Sequence, residues 1–229
     1  MSRREKDAFR CRFCRMLGRL CVCPLIPDPP LATRTRVVLV MHRAENSKST
    51  NTGRLATACL ANSEIIVRGH KGKPSEPLAW SEAVEPLLLF PFDDAKPIAD
   101  AARILDGRPV MLIVPDGTWR QASKVRRRVP GLADVTCVSV SGEARLPYRL
   151  RAEAHAHGLS TIEAIGRAMA VLEGEDVQRT LERVFRSMVE RTLWTRGELA
   201  AAEVCGGIPE GTARHSISCV SMPRFQRAS

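Results

Sequence analysis

The chain has 229 residues, of which 44% are hydrophobic and 26% are charged. This balance is typical of a globular protein and excludes a disordered one, and no apolar run approaches the roughly 20 residues that a membrane helix needs. Lys and Arg outnumber Asp and Glu by 35 to 25, and the net charge of +10 favours a polyanionic partner, although a solvated basic surface fits it equally well.

Four cysteines are crowded near the N-terminus, in the stretch CRFCRMLGRLCVC. Cys11 and Cys14 form a C-x-x-C pair, and Cys21 and Cys23 form a C-x-C pair. Thiolates at this spacing can converge on one tetrahedral Zn²⁺, with free thiols or a redox pair as the alternatives. The basic start of the chain lacks an apolar signal core, which predicts a cytoplasmic protein with reduced thiols. We therefore expect a structural zinc site with four protein ligands.

Short apolar strands alternate with helices along the rest of the chain. Runs of β-branched and apolar residues predict strands at 36–42, 64–69, 86–90, 109–114 and 134–140. Helical spacing and capping residues predict helices over 50–63, 94–107, 119–129, 160–174 and 176–195. This alternation predicts an α/β fold with a mostly parallel sheet that helices cover on both faces.

The pattern divides the chain into three parts. Residues 1–30 form the cysteine module and a proline-rich linker, and residues 31–196 form the main α/β domain. Residues 197–229 form a tail rich in Ala, Gly and Ser, which is either a lineage extension or a disordered end. Of the cysteines outside the cluster, Cys59 and Cys137 are predicted to lie in the core.

Polar segments follow several predicted strands at the edge where α/β proteins bind ligands. HRAENSKSTNTGR follows the first strand, PDGTW the fourth and SGEARLPYRLR the fifth, and GLSTIEA could close the same crevice. Each segment alone also fits a structural role, since His42 can simply end a strand, and Asn51 and Thr118 can cap helices. Asp116 is either a turn former beside Gly117 or a functional acid.

No competing motif points to another chemistry. The chain contains neither a G-x-x-x-x-G-K-[ST] phosphate loop nor a G-x-G-x-x-G dinucleotide fingerprint. It also contains no G-x-S-x-G nucleophile elbow. The convergence of the polar segments on one edge of the sheet is therefore the main structural basis for a site.

Taken together, the motifs resemble those of the DTW-domain family. The cysteine cluster, HRAE with NTGRLA, DGTWRQA and LSTIEA occur in that order over about residues 11–195, and DGTW carries the D-x-T-W signature. The family is similar to tRNA-uridine aminocarboxypropyltransferases, which move the 3-amino-3-carboxypropyl group of S-adenosylmethionine (SAM) to N3 of a tRNA uridine and release 5′-methylthioadenosine. The resemblance implies a SPOUT-like α/β fold with a trefoil-knotted cofactor site.

The resemblance also implies a role for each motif. Asp116 is the expected base, or the group that orients the uridine N3–H, and Thr118 is expected to hold its loop. Trp119 is expected to shape the pocket by stacking on the target base or on adenine, or else to pack under the loop. The expected contacts to SAM are His42, Asn51, Thr52, Arg54, Leu159, Ser160, Thr161 and Glu163. The expected contacts to the tRNA backbone are Arg120, Lys124, Arg126, Arg127 and Arg128.

The implied partners are SAM as co-substrate and tRNA as acceptor, with neither a membrane nor an obligatory protein partner. Two other functions fit the same residues. A SAM-dependent RNA methyltransferase would release S-adenosylhomocysteine instead, and a non-catalytic zinc-bearing RNA-binding protein would bind RNA without SAM. Aromatic residues make up only 4% of the chain, which argues against a stacking platform for single-stranded RNA.

Overall fold

A six-stranded parallel sheet forms the centre of the structure, a computed structural model that describes residues 10–48, 50–105, 107–142 and 159–212. The strands are β1 (Arg36–His42), β2 (Ser63–Arg68), β3 (Glu85–Leu89), β4 (Lys96–Pro97), β5 (Val110–Asp116) and β6 (Thr136–Ser139). Their order is β2-β1-β5-β3-β6-β4, and all neighbouring pairs are parallel. The predicted parallel sheet is confirmed. The sequence did not predict β4, because a strand of two residues is too short to show the alternation of side chains that marks a strand.

Six α-helices accompany the strands within the described ranges. They are α1 (Gly53–Cys59), α2 (Ile98–Arg103), α3 (Trp119–Ala122), α4 (Val125–Arg128), α5 (Thr161–Leu172) and α6 (Glu175–Arg196). The segment that was predicted as one helix over 119–129 is two, because the backbone turns at Ser123 and Lys124 and thereby directs Val125 into the core. No described helix has both the length and the apolar character that would let it cross a membrane.

Both faces of the sheet are covered, which explains why the strands are apolar throughout. Successive side chains of β1 point to opposite faces. The larger core lies on the face that packs against α1, α5, α6 and the cysteine module, and β1 contributes Val37, Leu39 and Met41 to it. The smaller core lies on the other face beside α4, and β1 contributes Val38 and Val40 to it. Cys59 and Cys137 are buried in these cores, as predicted.

One buried arginine joins α6 to both ends of the described chain. The Arg191 guanidinium donates hydrogen bonds to the carbonyl oxygens of Cys21 at 2.5 Å and Leu20 at 3.4 Å in the cysteine module. It also donates to the carbonyl oxygens of Gly206 at 3.1 Å and Gly207 at 3.0 Å, in the segment that follows α6. The cysteine module and the segment with Gly206 and Gly207 are therefore both bonded to the main domain.

The trefoil knot that the resemblance implies stays a prediction. Residues 143–158 link β6 to α5 and lie outside the described residues. They include most of the predicted site segment SGEARLPYRLR. The described part of the site consists of the other three segments.

Replacing Arg191 by alanine is expected to lower the free energy of unfolding by about 2 kcal/mol or more, because buried carbonyls at both chain ends lose their donor. Equilibrium unfolding in urea measures the change. The control is Arg196→Ala on the same helix, since Arg196 is half-exposed and approaches Glu198 only to 4.0 Å. That variant should change the stability by less than about 0.5 kcal/mol. Equal stabilities for the two variants would contradict the role given to Arg191.

Candidate active site

Asp116 lies at the centre of the carboxyl edge of the sheet. It is the last residue of β5, and only 4% of its surface is exposed. Its Oδ2 accepts a hydrogen bond from Asn51 Nδ2 at 2.5 Å, and its Oδ1 accepts one from Thr161 Oγ1 at 2.7 Å. These partners belong to the segment after β1 and to the start of α5. The structure thus brings three of the predicted segments together at one carboxylate.

The side-chain amide of Asn51 is held in one orientation. Its Oδ1 accepts a hydrogen bond from the backbone N–H of Arg54 at 2.9 Å, in the first turn of α1. Its NH₂ group therefore faces the Asp116 carboxylate. Asn51 therefore has two roles. It accepts a hydrogen bond from the start of α1, as the sequence suggested, and it donates one to Asp116.

The start of α1 lies unusually close to β1 and α5. A Cβ atom on Gly53 would lie 2.9 Å from the Leu39 side chain and 3.2 Å from Cγ2 of Thr161, so only glycine fits here without a shift of the neighbours. Next to it, Thr52 Oγ1 accepts a hydrogen bond from the backbone N–H of Ile162 at 3.4 Å. These contacts fix the distance between the segment that carries Asn51 and the segment that carries Thr161.

The Arg54 guanidinium lies beside Asp116 and is only partly satisfied. It donates to the backbone and side-chain oxygens of Asn46. Its Nε atom is buried and has no hydrogen-bond partner among the described residues. Burial lowers the pKa of Arg54, the nearby Arg15 guanidinium lowers it further, and the Asp116 carboxylate opposes them. The Arg54 guanidinium therefore interacts electrostatically both with the central carboxylate and with an arginine of the cysteine module.

His42 ends β1 and packs tightly in the wall of the site. Its Nδ1 accepts a hydrogen bond from the backbone N–H of Ala44 at 3.2 Å, which places the proton of the neutral ring on Nε2. The ring also lies so close to Gly69 that a Cβ there would be 2.8 Å from Nε2. Burial lowers the pKa of His42, and the Arg68 and Arg43 guanidinium groups lower it further. The ring is therefore neutral at pH 7.

The turn after β5 is held by its own capping box. The Gln121 side-chain oxygen accepts a hydrogen bond from the backbone N–H of Thr118 at 2.9 Å, which confirms the predicted box. The backbone oxygen of Gln121 in turn accepts one from Arg68 Nη2 at 2.5 Å. Trp119 packs on Phe90 with ring centroids 4.8 Å apart and stays 42% exposed, so part of the indole is accessible.

The start of α5 carries the second predicted capping box, which is also confirmed. Glu163 Oε2 accepts hydrogen bonds from the backbone N–H of Ser160 at 3.0 Å and from its hydroxyl at 2.7 Å. The other oxygen of Glu163, Oε1, is buried and has no hydrogen-bond partner in the described part of the chain. Leu159 directly precedes the box. This end of α5 therefore offers one buried acceptor to a ligand.

The basic residues of α3 and α4 do not all have the same surroundings. Arg120, Arg127 and Arg128 are exposed, and Arg120 is the largest of the influences that lower the pKa of Lys124. Arg126 instead pairs with Asp94 at 2.6 Å and lies over the ring of Phe92. Four of the five predicted RNA contacts thus form a cationic surface, and the fifth is engaged within the protein.

Two cations near the site were missed by the sequence reasoning. Arg68 ends β2 opposite His42 and is 5% exposed. A cation at the end of an apolar strand could have been predicted to lie at the ligand-binding edge of the sheet. Arg15 lies between the two cysteine pairs, where the spacing of the cysteines indicates a metal site and gives no sign of a role for the arginine. No sequence pattern connects Arg15 with Arg54, because the fold alone brings them together.

The four clustered cysteines form a set that could hold a metal ion. Their sulfur atoms all lie within 4.8 Å of one another, with Cys11–Cys23 and Cys14–Cys21 at 3.6 Å. Tetrahedral zinc thiolates have sulfur atoms about 3.8 Å apart, so the set fits this geometry. Burial raises the pKa of Cys14 to about 11. Burial also acts to raise the pKa of Cys11, but the backbone N–H groups of Cys14 and Phe13 together with the Cys21 and Cys23 thiols outweigh it and lower this pKa to about 7.

Comparisons with known proteins agree on one family. The model of the DTW domain matches residues 8–193. The chain is 26% identical to tRNA-uridine aminocarboxypropyltransferase 2 of Drosophila melanogaster, over 80% of this chain and 75% of the relative. It is also 26% identical to tRNA-uridine aminocarboxypropyltransferase A of Arabidopsis thaliana, over 81% of this chain and 83% of the relative.

Two further matches are more limited. The chain is 27% identical to tRNA-uridine aminocarboxypropyltransferase 2 of Macaca fascicularis over 78% of its residues, but this match spans only 61% of the relative. Among solved structures, the SAM-dependent rRNA:acp-transferase Tsr3 from Vulcanisaeta distributa matches with a TM-score of 0.45 and 16% identity, over 76% of this chain and 85% of that chain. That score is too low to carry an argument.

The pKa of His42 should lie below its ordinary value of 6.5, because burial and the neighbouring guanidinium groups disfavour the imidazolium. As the pH falls below 6.5, the unfolded chain then takes up more protons at this residue than the folded chain does, and the free energy of unfolding should fall. His42→Gln should make that fall smaller. NMR titration of the His42 ring, assigned with this variant, measures the pKa, and a midpoint at or above 6.5 would contradict the prediction.

Proposed function

The chain belongs to the DTW domain family, and from this premise we propose that it transfers the 3-amino-3-carboxypropyl group of SAM to N3 of a tRNA uridine. The observation that carries the proposal is the meeting of Asn51, Asp116 and Thr161 in one buried hydrogen-bonded group. These residues lie in the motifs by which the chain resembles the family. The names of the relatives support the transferred group and the acceptor.

The reaction requires a proton acceptor beside the uridine. The bond from N3 to the γ-carbon of SAM forms, the bond from that carbon to sulfur breaks with its electron pair going to sulfur, and the N3 proton must leave. The Asp116 carboxylate accepts hydrogen bonds from Asn51 and Thr161, which hold it in a fixed orientation at the edge of the sheet. A positioned carboxylate of this kind typically contributes roughly 10²–10⁴-fold.

Positioning supplies the remainder, because the sulfonium carries its own leaving group. We assign contacts to SAM to the walls built around Asp116. Glu163 has a buried oxygen that could accept a hydrogen bond from a ligand hydroxyl or ammonium. Arg54 has a buried Nε–H without a partner among the described residues, which could donate a hydrogen bond to an anion. The neutral His42 ring closes the wall at the end of β1, and Trp119 offers an accessible indole surface for stacking.

We propose that tRNA contacts the surface formed by Arg120, Lys124, Arg127 and Arg128. These side chains follow directly after the Asp116 turn, so a backbone bound there would pass beside the site. Arg126 has a different role, since its ion pair with Asp94 and its contact to Phe92 stabilise the loop after β3. A tRNA-modifying enzyme would act in the cytoplasm, which stays the proposed location.

The Asp116→Asn variant is expected to lose at least about 100-fold in turnover while its fold and tRNA affinity are retained. An asparagine can keep both contacts, since its oxygen can accept from Asn51 and its amide can donate to the Thr161 hydroxyl. The measurement is mass spectrometry of nucleosides from unmodified tRNA incubated with SAM, together with the small-molecule product. Aminocarboxypropyl-uridine and 5′-methylthioadenosine are the expected products of the wild-type protein.

The control is Asp134→Asn, because Asp134 is exposed and precedes β6 at the opposite edge of the sheet. Its turnover should match that of the wild-type protein. Undiminished turnover in Asp116→Asn would remove this carboxylate from the mechanism. A methylated base with S-adenosylhomocysteine would mean methyl transfer, and RNA binding without either product or SAM binding would favour the non-catalytic reading.

We also propose that the four cysteines bind one structural Zn²⁺, as their converging sulfur atoms and the reduced state of a cytoplasmic chain suggest. One zinc per chain should be found by elemental analysis. Chelation should lower the melting temperature, because metal binding contributes directly to folding. Cys14→Ser should lose the metal, whereas Cys205→Ser, outside the cluster, should keep it. A folded wild-type protein without metal would contradict the assignment.

A further inference from the structure

The long connection between β2 and β3, residues 69–84, lies against the helices that carry the proposed RNA surface. It contains neither a helix nor a strand of its own. Where it leaves β2, Arg68 Nη2 donates a hydrogen bond to the backbone oxygen of Gln121 in α3 at 2.5 Å. Further along, the backbone N–H of Leu78 donates to the carbonyl oxygen of Pro130, just after α4, at 3.1 Å. The first half of the connection therefore runs beside α3 and α4.

Apolar contacts also hold this β2–β3 connection in place. Leu78 and Trp80 pack against the smaller core beside α4. The Leu78 carbonyl lies so close to Gly131 that a Cβ there would be 2.6 Å from the Leu78 oxygen, so a larger residue would push the connection away. Connections longer than about 12–15 residues without secondary structure are uncommon in compact domains and are usually either functional or disordered. Attachment at several points favours a function here.

The exposed part of the connection is a β-turn that carries two lysines. The backbone N–H of Lys73 donates to the His70 carbonyl at 3.3 Å, and Gly72 between the lysines has φ of +73°, which favours glycine. Lys71 and Lys73 are both exposed. A Cβ on Gly72 would meet no atom of the described residues within 4 Å. The turn therefore projects into solvent with both ammonium groups.

The turn extends the cationic surface of α3 and α4. The cations of the enlarged surface are Lys71, Lys73, Arg120, Lys124, Arg127 and Arg128. None of the six forms an ion pair with another residue that the structure describes. Like charges that are gathered without acidic partners repel one another, and a bound polyanion removes this repulsion and releases its own counterions. The charge of the surface therefore fits a phosphate backbone.

We propose that Lys71 and Lys73 bind the phosphate backbone of the tRNA beside the surface formed by α3 and α4. The inference rests on the proposed function and adds a second segment of the chain to the RNA interface. Neighbouring strands lie about 4.8 Å apart, and β1 separates β2 from β5, so β2 ends about 10 Å from the strand that carries Asp116. The lysines therefore contact nucleotides other than the uridine that reacts, and they position the tRNA without reading its sequence.

Two matched variants separate a local contact from the general effect of charge. Lys71→Gln/Lys73→Gln removes the lysines of the turn. Lys96→Gln/Arg103→Gln removes two exposed cations, in β4 at the opposite edge of the sheet and in α2. Each variant lowers the net charge by two, whereas Lys71→Arg/Lys73→Arg keeps it. Because all four residues are exposed, the melting temperatures and the affinity for SAM should match those of the wild-type protein.

The binding of fluorescently labelled, unmodified tRNA is measured by anisotropy at a series of salt concentrations. Each phosphate contact contributes about 0.7–0.9 to the slope of log K against log salt concentration. Lys71→Gln/Lys73→Gln should therefore reduce this slope by about 1.4–1.8 and raise the dissociation constant at low salt by at least about fivefold. The variant Lys96→Gln/Arg103→Gln and the variant Lys71→Arg/Lys73→Arg should both keep the wild-type slope.

An unchanged slope and affinity in Lys71→Gln/Lys73→Gln would overturn the proposal and leave the turn as a solvated surface. An equal loss in Lys96→Gln/Arg103→Gln would also overturn it, because the effect would then come from net charge alone. Glu76 is an exposed acid of the same connection, so Glu76→Gln should strengthen tRNA binding, and weaker binding would contradict the proposal. A wild-type protein that binds tRNA with the expected slope but forms no aminocarboxypropyl-uridine would instead refute the proposed transfer, so the two failures are distinguishable.

Discussion

The architecture of the site depends on the Asp116 carboxylate and the two hydrogen bonds that it accepts. β5 places Asp116 at the buried edge of the sheet, and the side chains of Asn51 and Thr161 reach it from two other segments. A buried carboxylate is costly unless donors satisfy it. The segments that follow β1 and begin α5 therefore have a physical reason to converge. Gly53 allows the approach, since a larger residue would separate them.

The fold class and most of the site could be predicted from the sequence, because both depend on local patterns. Apolar runs of β1 and β5 and the capping boxes at Thr118 and Ser160 are read from neighbouring residues. The short strand β4 and the break before α4 could not be predicted, since tertiary packing decides them. The proximity of Arg15 and Arg54 was equally hidden. A contact between residues far apart in the chain leaves no local pattern when each residue has another plausible role.

The charges around the site are distributed for different purposes. Arg68 is buried and bonds the backbone oxygen of Gln121, so it holds the turn after β5. Arg126 is paired with Asp94 and supports a loop. Arg120 and Lys124 face the surface beside that turn. The net charge of +10 therefore describes several groups with separate tasks, and only their surroundings distinguish a structural arginine from one that is available to a phosphate or carboxylate.

The position of Arg191 has a consequence for how the protein opens. Its single guanidinium serves carbonyl groups from the cysteine module and from the segment after α6. If either end detaches, the buried Arg191 guanidinium loses part of its acceptors. The two ends of the described chain are therefore coupled through one side chain, although they lie at opposite ends of the sequence. The opening of either end should then cost the free energy of leaving a buried guanidinium without acceptors, so the loss of a few residues at one end would also weaken the attachment point of the other.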